Sequence, residues 1–484
     1  MENKPKNSVP MKTRILWGFG GLSDNLMFNV THFLFLYVYV NYFKMDPALA
    51  GISLAIPRFF DAITDPMLGN FSDNFRSKWG RRRPLIFIGV IACAILLPLH
   101  WTPMFVDTVN NPWYSNGPFI YISVLGCFYA LAYTFFSVPY TALGFELTDD
   151  YDERTRVLAW RMFMGLIGAC TLPWVYKFCV DPDHFPNIQQ GSIKVTCIAS
   201  VFLIITGLLP VFGCKEKPIP PKTFDAENHE LEKQNMFVAF WDTFHNRPFL
   251  ILVFGFFVVL CCTDAPDSLG NFINLYVVFD GNEIENAKLA GILGTMRGLI
   301  CYLSIFFSTW VSRKTGKREA YIVGMVIWII AYASMWFTIT PKHPYWQLYS
   351  FAIWALANQG MWLTLDSMMA DICDDDELKT GRRREGIYGA VRGFIQKCSG
   401  ALTTLIGGFM LKYTGFDVNV AQTTGLPPEV AFKMKACYVL IPVVGCVISI
   451  ICFLYYPISR KRSHETRRIL AERAAARQNA QAAK

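Results

Sequence analysis

Apolar segments of about 20 residues recur along almost the whole chain, with short polar stretches between them. An α-helix needs about 20 consecutive apolar residues to cross the hydrocarbon core of a bilayer. The pattern therefore predicts an all-α polytopic membrane protein with twelve transmembrane helices. The predicted spans cover residues 14–43, 47–71, 84–101, 118–146, 157–178, 194–213, 248–279, 286–311, 319–339, 346–371, 384–412 and 431–457.

A polar, proline-rich stretch from Cys214 to about Arg247 separates the sixth span from the seventh. It is expected to form a cytoplasmic linker with a short amphipathic helix around residues 236–244. This gives two six-helix halves and a basic tail. The predicted domains are an N-terminal bundle over 1–213, a linker over 214–247, a C-terminal bundle over 248–458 and a cytoplasmic tail over 459–484.

The two halves carry similar loops at equivalent places. The basic stretch Arg76–Arg83 follows span 2, and Arg313–Arg318 follows span 8. The acidic-basic stretch Asp149–Arg156 follows span 4, and Asp374–Arg382 follows span 10. Such repeats are typical of a duplicated, pseudo-symmetric transporter. The loops either pair as gates or serve only topology and solvation, and the sequence leaves both open.

Lysine and arginine also predict the orientation. The basic loops alternate with loops 102–117 and 279–287, which contain neither residue. Because cytoplasmic loops are the basic ones, both termini are expected in the cytoplasm of a multi-pass protein, in the inner membrane if the source is bacterial. The basic, alanine-rich tail after Arg460 is expected either as a helix near anionic lipid headgroups or as a solvated tail without function.

Composition excludes several other classes of protein. Hydrophobic residues make up 53% of the chain and charged residues only 17%, whereas soluble proteins have about 25% charged residues. The net charge of +8 lies in loops and tail, so it does not indicate nucleic-acid binding. The 14 cysteines have no zinc-ligand spacing, and only Cys179 and Cys197 are considered as a disulfide. No histidine cluster or nucleophile motif is present, so the chain is not expected to be an enzyme and no cofactor is expected.

Span 2 contains the most informative charges. Asp61 and Asp65 are four residues apart, so on a helix both carboxylates lie on one face, one turn apart. Like charges in a membrane are costly unless they are partly protonated or share a cation. The Thr64 hydroxyl and a carbonyl freed by Pro66 would add hard oxygen ligands, which suit Na⁺ or a proton. The alternative is a structural carboxylate pair neutralised by Arg58.

Further charged residues lie inside other spans. Span 1 contains Asp24, span 5 contains Arg161 near its start, and span 11 contains Arg392 and Lys397. Lys397 is about 13 residues from one end of its span and 15 from the other, or roughly 20 Å at 1.5 Å per residue. It therefore needs a carboxylate or a wet cavity, with Asp24, Asp61 and Asp65 as candidate counter-ions.

Some intramembrane charges receive no role. Span 7 contains Asp264 and Asp267, span 8 contains Arg297, and span 10 contains Asp366. A pairing of Asp366 with Arg297 or with Arg392 is conceivable, but the sequence does not choose between them. His32 is expected to be a packing residue.

Three motifs carry a family resemblance. They are Asp61-Ala-Ile-Thr-Asp-Pro-Met-Leu-Gly69, the Arg-Ser-Lys-Trp-Gly that begins at Arg76, and Ala370-Asp-Ile-Cys-Asp-Asp-Asp-Glu-Leu-Lys-Thr-Gly381. In order and spacing the chain resembles the glycoside–pentoside–hexuronide:cation symporters of the major facilitator superfamily over nearly its whole length. The resemblance implies the major facilitator fold, with twelve helices in two pseudo-symmetric six-helix bundles and transport by alternating access.

The resemblance also implies site residues. The helix-II acids and a helix-IV threonine bind the coupling cation in that family, and these correspond to Asp61, Asp65 and Thr134 beside Thr64. The sugar site implied by the same alignment comprises Asp24, Arg161, Trp362 and Lys397, with Tyr133 and Ser137 on helix IV. Aromatic stacking on a sugar ring and charge-assisted bonds to hydroxyls explain these residue types.

The chain also departs from the family pattern on helix IV. Ser137 stands where the melibiose transporters have a second sugar-binding aspartate, and Thr141 stands where they have a tryptophan. A galactoside is therefore no more favoured than a pentoside, a hexuronide or another glycoside. The related sodium-dependent lysophosphatidylcholine symporters share the acid pair and the lysine, so a lysophospholipid is the alternative substrate. The expected partners are thus a sugar or glycoside, Na⁺ or H⁺ and the lipid bilayer, bound by a functional monomer.

Overall fold

The structure is a computed structural model that describes residues 9–148, 151–214, 216, 243–380 and 385–482. Within these residues all regular secondary structure is helical. Twelve long helices match the predicted spans one for one, and a thirteenth follows them. They are α1 Met11–Leu36, α2 Pro47–Asn74, α3 Arg83–Leu99, α4 Gly117–Glu146, α5 Tyr151–Val180, α6 Ile188–Gly213, α7 Arg247–Phe272, α8 Glu283–Thr315, α9 Lys317–Thr338, α10 Gln347–Thr380, α11 Glu385–Tyr413, α12 Pro428–Leu454 and α13 Arg460–Ala482.

Length and apolarity identify seven membrane-spanning candidates among the described helices: α4, residues 156–180 of α5, α6, α7 with its extension, α8, α9 and α12. Helix α3 is apolar but has only 17 residues. Helices α2, α10 and α11 carry several charged residues each. In α2 and α11 these charges include the candidate site residues Asp61, Asp65 and Lys397, whereas the charges of α10 have no predicted site role.

The first and the seventh helix end in the same unusual way. Helix α1 continues as a π-helical segment, Tyr37–Tyr42, and α7 continues as a second one, Ile273–Val278. π-Helical turns are rare in proteins, and those that occur are often located at functional sites. Their equivalent positions agree with the predicted repeat of two halves.

The predicted acidic-basic loops are largely helical, which corrects the expectation of loops there. Helix α10 runs on through Asp374 to Thr380, and α5 already begins at Tyr151. The extension of α10 is stabilised by an ion pair one turn apart, Lys379 Nζ to Asp375 Oδ2 at 2.6 Å. Residues 149–150 and 381–384 lie outside the described residues, as does most of the predicted linker helix at 236–244.

One compact unit comprises residues 1–220, 267–298 and 400–434. In it α1 packs against α5 and α6, while α4 packs against α2 and α3. Its fully buried core includes Trp17, Tyr39, Trp101 and Tyr140. The second compact unit comprises residues 221–266, 299–399 and 435–484. The division into domains at 213, 247 and 458 remains a prediction.

In the second unit, α13 packs against the end of α10. Arg462 Nη2 lies 2.7 Å from Asp375 Oδ1, and Arg467 Nη2 lies 2.8 Å from Asp371 Oδ1. Both carboxylates are buried, so they need cationic partners to offset the loss of hydration. The tail is a helix, as one expectation had it. Two of its arginines, Arg462 and Arg467, pair with carboxylates of α10, and a position of the tail near lipid headgroups stays a prediction.

The start of α3 is stabilised by an anion from a distant part of the chain. The Glu216 carboxylate accepts hydrogen bonds from the backbone N–H groups of Arg81 at 2.8 Å, Arg82 at 3.0 Å and Arg83 at 2.8 Å. A carboxylate at a helix N-terminus satisfies orphan donors and complements the helix dipole. The turn that presents these donors contains Gly80, with φ of +107°.

We therefore expect Glu216→Ala to destabilise the folded protein by about 1–2 kcal/mol, the range found for lost helix caps. The measurement is the midpoint of thermal unfolding in detergent, compared with Glu429→Gln as a control in an exposed ion pair on α12. An unchanged midpoint for Glu216→Ala would mean that water replaces the carboxylate without loss.

Candidate functional site

Asp24 on α1 and Arg161 on α5 form an ion pair inside the first unit. Arg161 Nη2 lies 2.9 Å from Asp24 Oδ2. The two helices approach closely at Gly21, where an added Cβ would stand 2.5 Å from the backbone oxygen of Arg161. Any larger residue at this position would separate the helices. The glycine one turn before Asp24 therefore sets the distance between the two charges.

Tyr133 on α4 completes this cluster. Its hydroxyl donates a hydrogen bond to Asp24 Oδ1 at 2.9 Å, so each oxygen of the carboxylate has a partner. The Asp24 side chain is 18% exposed and that of Arg161 is 27% exposed. A charged pair within membrane spans that is neither fully buried nor fully exposed can exchange part of its bonding to a polar ligand.

Aromatic side chains behind Arg161 hold it in place. The guanidinium carbon lies 5.3 Å from the centre of the Tyr140 ring, within cation–π range. Tyr140 is itself stacked on Trp17 at 5.1 Å, and its hydroxyl donates to the Trp17 carbonyl at 2.9 Å. The sequence analysis did not identify Tyr140 or Trp17. An aromatic residue in an apolar span carries no signal that separates support of a site from ordinary packing.

Asp61 on α2 lies in a different environment from Asp24. It is only 3% exposed, and its Oδ1 accepts a hydrogen bond from the Thr134 hydroxyl on α4 at 2.7 Å. Asp65, one turn further along α2, is half-buried. The Thr64 hydroxyl donates to the backbone oxygen of Asp61 at 3.4 Å, so it bonds back to the preceding turn of its own helix. A buried carboxylate with a hydroxyl beside it offers the hard oxygen ligands that a small cation requires.

The two carboxylates are connected through consecutive residues of α4. Tyr133 bonds to Asp24, and Thr134 bonds to Asp61. A change of position or rotation of α4 at this point therefore changes the surroundings of both carboxylates. The sequence analysis named these residues separately, as implied by the resemblance, and did not predict this connection.

A cavity of about 60 Å³ lies beside Asp61, between α1, α2 and α4. Its wall is mainly apolar, and its polar members include Asp61, Arg58, His100 and Tyr133. The Arg58 guanidinium carbon lies 3.9 Å from the centre of the Phe28 ring, which also lines the cavity. Arg58 and Asp61 thus share one cavity, and the alternative that Arg58 neutralises the acid pair stays open.

The remaining predicted site residues are distributed over both units. Ser137 is half-buried on α4, one turn after Tyr133. In the second unit Trp362 on α10 packs edge-on against Phe256 at 5.1 Å, and Lys397 is half-buried on α11. The pairing of Lys397 with Asp24, Asp61 or Asp65 stays a prediction. Cys179 and Cys197, the one pair considered for a disulfide, are both free thiols.

One of the three intramembrane carboxylates without an assigned role has a charged partner. Asp366 on α10 pairs with Arg392 on α11, which was one of the two partners considered. Asp264 on α7 accepts a hydrogen bond from its neighbour Thr263 at 3.2 Å. Asp267, one turn along, is exposed in this structure.

Comparison with known proteins places these features in a family. The family model described as MFS/sugar transport protein matches residues 16–460. A symporter of Synechocystis, sll1374, uncharacterised by name, is 27% identical, and the match covers 95% of this chain and 96% of that protein. The isoprimeverose transporter of Lactiplantibacillus pentosus is 24% identical, and the match covers 94% of this chain and 90% of that protein.

A solved structure shows the same fold. It is the inward-facing, unoccupied form of a bacterial homologue of the human lysosomal transporter Spinster, with a TM-score of 0.64 and 14% identity, covering 92% of this chain and 95% of that one. The fold class is therefore confirmed, and so is the expectation of a multi-pass membrane transporter with no enzymatic activity. This chain belongs to the MFS/sugar transport protein family, and within it to the glycoside–pentoside–hexuronide:cation symporters.

Proposed function

We propose that this protein is a secondary active transporter that couples the movement of a sugar or glycoside to Na⁺ or H⁺ by alternating access. The observation that carries the proposal is the connection through α4, where Tyr133 contacts Asp24 and Thr134 contacts Asp61. Symport requires that the ion and the substrate affect each other's binding, and consecutive residues on one helix are a direct physical route for that effect.

Asp61 is the ion-binding carboxylate in this proposal. Its near-complete burial makes a negative charge costly, and a bound cation or a proton lowers that cost. When a cation binds, the Thr134 hydroxyl donates to the Ala130 carbonyl, 3.0 Å away, in place of Asp61, so that its oxygen faces the cation, and Asp65 contributes its own carboxylate one turn away. The adjacent Tyr133 then holds Asp24 in the geometry that receives the sugar.

Asp24 and Arg161 bind the sugar in this proposal. A carboxylate accepts hydrogen bonds from hydroxyl groups, and a guanidinium donates them, so the pair matches neighbouring hydroxyls of a sugar ring. The family resemblance adds Trp362, an aromatic face, and Lys397, a further donor, as predicted sugar-binding residues. The relatives that are named as symporters and as a sugar transporter support this substrate class.

The test is thermal stabilisation of the purified protein by a panel of glycosides, pentosides, hexuronides and lysophospholipids. Each compound is measured in Na⁺ and in choline, and at two pH values. A ligand that binds only the folded state raises the unfolding midpoint. At a ligand concentration of 100 times the dissociation constant, the free energy of unfolding increases by about 2.7 kcal/mol. We expect stabilisation by a sugar or glycoside, increased by Na⁺ or by lower pH.

Each of the other outcomes has a distinct meaning. Stabilisation by lysophospholipids alone would identify the protein as a lysophospholipid symporter and not a sugar symporter. Stabilisation by a sugar to the same degree in Na⁺ and choline, and at both pH values, would leave a sugar carrier without ion coupling. No stabilisation by any member of the panel would contradict the proposed function as stated.

A further inference from the structure

Asp366 and Arg392 form a second carboxylate–guanidinium pair, located in the second unit. Arg392 Nη1 contacts Asp366 Oδ1, and the pair joins α10 to α11. Helix α10 ends at Thr380, 14 residues after Asp366, which is about 21 Å at 1.5 Å per residue. The sequence analysis assigned no role to this carboxylate, and the family resemblance names neither residue.

The exposure of this pair points away from a purely structural role. The Asp366 side chain is 56% exposed although it lies inside a predicted membrane span, while that of Arg392 is 18% exposed. Charged groups in membrane spans face the bundle interior or a wet cavity, because exposure to lipid is too costly. A half-exposed carboxylate at this depth is therefore accessible from an aqueous or ligand-filled space.

The surroundings repeat the chemistry of the Asp24–Arg161 pair. The Arg392 guanidinium carbon lies 5.7 Å from the centre of the Phe256 ring, as that of Arg161 lies 5.3 Å from Tyr140. Phe256 also packs against Trp362 at 5.1 Å. The second unit thus holds an accessible ion pair, an aromatic support for its arginine and a tryptophan in one continuous cluster.

Asp366 and Arg392 are displaced in the same direction from the predicted sugar-binding residues of their helices, Trp362 and Lys397. Asp366 follows Trp362 by four residues, or about 6 Å, toward the end of α10. Arg392 precedes Lys397 by five residues, or about 7.5 Å, toward the start of α11. Both displacements lead toward the same connection, residues 381–384. The pair therefore lies about one helical turn beyond Trp362 and Lys397, on the side of that connection.

We infer that Asp366 and Arg392 form a second sugar subsite, which takes a neutral glycosyl unit linked to the sugar held at Trp362 and Lys397. This inference rests on the proposed function of the same site. One negative and one positive group together carry no net charge, so they favour hydroxyl groups over a charged substituent. The carboxylate of a uronate bound here would be attracted by the Arg392 guanidinium but repelled by the Asp366 carboxylate.

The experiment compares two sugars that differ by one glycosyl unit. One is a neutral disaccharide from the ligand panel, and the other is the methyl glycoside of the unit bound at Trp362. Dissociation constants are measured for the wild type, Asp366→Asn and Arg392→Gln, with Glu429→Gln in the exposed ion pair of α12 as the matched control. Charge-conserving Asp366→Glu and Arg392→Lys serve if either neutral variant fails to fold.

The expected result is selective. Each neutral variant weakens the disaccharide by about tenfold, the effect of losing a hydrogen bond to a charged group, and leaves the methyl glycoside within about twofold of the wild type. Unchanged binding of the methyl glycoside also shows that the variant is folded. The charge-conserving variants displace the groups, so they too weaken the disaccharide selectively.

Other results overturn the inference. If the variants lose the same affinity for both sugars, the pair has a structural role and is not a subsite. If they lose affinity for neither sugar, the pair does not contact the substrate. A wild type that binds sugars without preferring the disaccharide would contradict the subsite while leaving the proposed function intact. A wild type that binds no sugar would contradict both.

Discussion

Asp61→Asn is expected to abolish the uphill accumulation of substrate. The amide oxygen of asparagine can still accept the hydrogen bond of Thr134, so the local packing of α2 against α4 is kept. The negative charge that binds Na⁺ or a proton is removed. The accumulation ratio in vesicles with an imposed ion gradient therefore falls to about one, since an uncoupled carrier only equilibrates its substrate.

The measurement separates coupling from transport. Counterflow of labelled substrate at equal ion concentrations is expected to persist in Asp61→Asn, because it requires no gradient. Asp46→Asn is the matched control, because Asp46 is the N-cap of the same helix, α2, and asparagine also caps a helix start. Uphill accumulation at the wild-type level by Asp61→Asn would place the ion site elsewhere in the protein.

Asp24→Ala is expected to weaken substrate binding by about 100-fold, which corresponds to about 2.7 kcal/mol. The substitution removes the acceptor for substrate hydroxyls and leaves Arg161 without the partner that orients it at 2.9 Å. Lys397→Ala, on α11, is also expected to weaken substrate binding. Tyr133→Phe removes only one hydroxyl, so its effect is smaller, about three- to tenfold.

The graded series distinguishes a binding role from a folding role. Dissociation constants come from titration of the purified variants, and unfolding midpoints without ligand report their stability. A binding role predicts that affinity falls in the order of the lost contacts while the midpoints of Tyr133→Phe and the wild type stay close. Normal affinity in both Asp24→Ala and Lys397→Ala would move the substrate site.

The sequence predicted the helices well because the signal for a membrane span is local. Runs of about 20 apolar residues located all twelve long helices, with ends that differ from the observed ones by at most nine residues. The ends themselves were less accurate where tertiary contacts extend a helix. Helix α10 continues to Thr380. Its carboxylates Asp371 and Asp375 pair with Arg467 and Arg462, which lie about 90 positions away in the chain.

The candidate site was predicted as a set of charges, and not as a set of pairs. The cost of a charge in a membrane marks Asp24, Arg161 and Asp366 one by one. It does not say which arginine or lysine each carboxylate meets, because the partners lie on other helices. Asp24 has Arg161 as its partner through the close approach at Gly21, a geometric condition that no local pattern encodes.

The arginines of α13 have a consequence for the order in which the protein is made. Asp371 and Asp375 on α10 are buried beneath Arg467 and Arg462, which are synthesised only after the last predicted membrane span. Until then the end of α10 holds carboxylates without these partners. The second unit therefore completes its folding after translation of the spans, whereas the Asp24–Arg161 pair can form as soon as α5 is inserted.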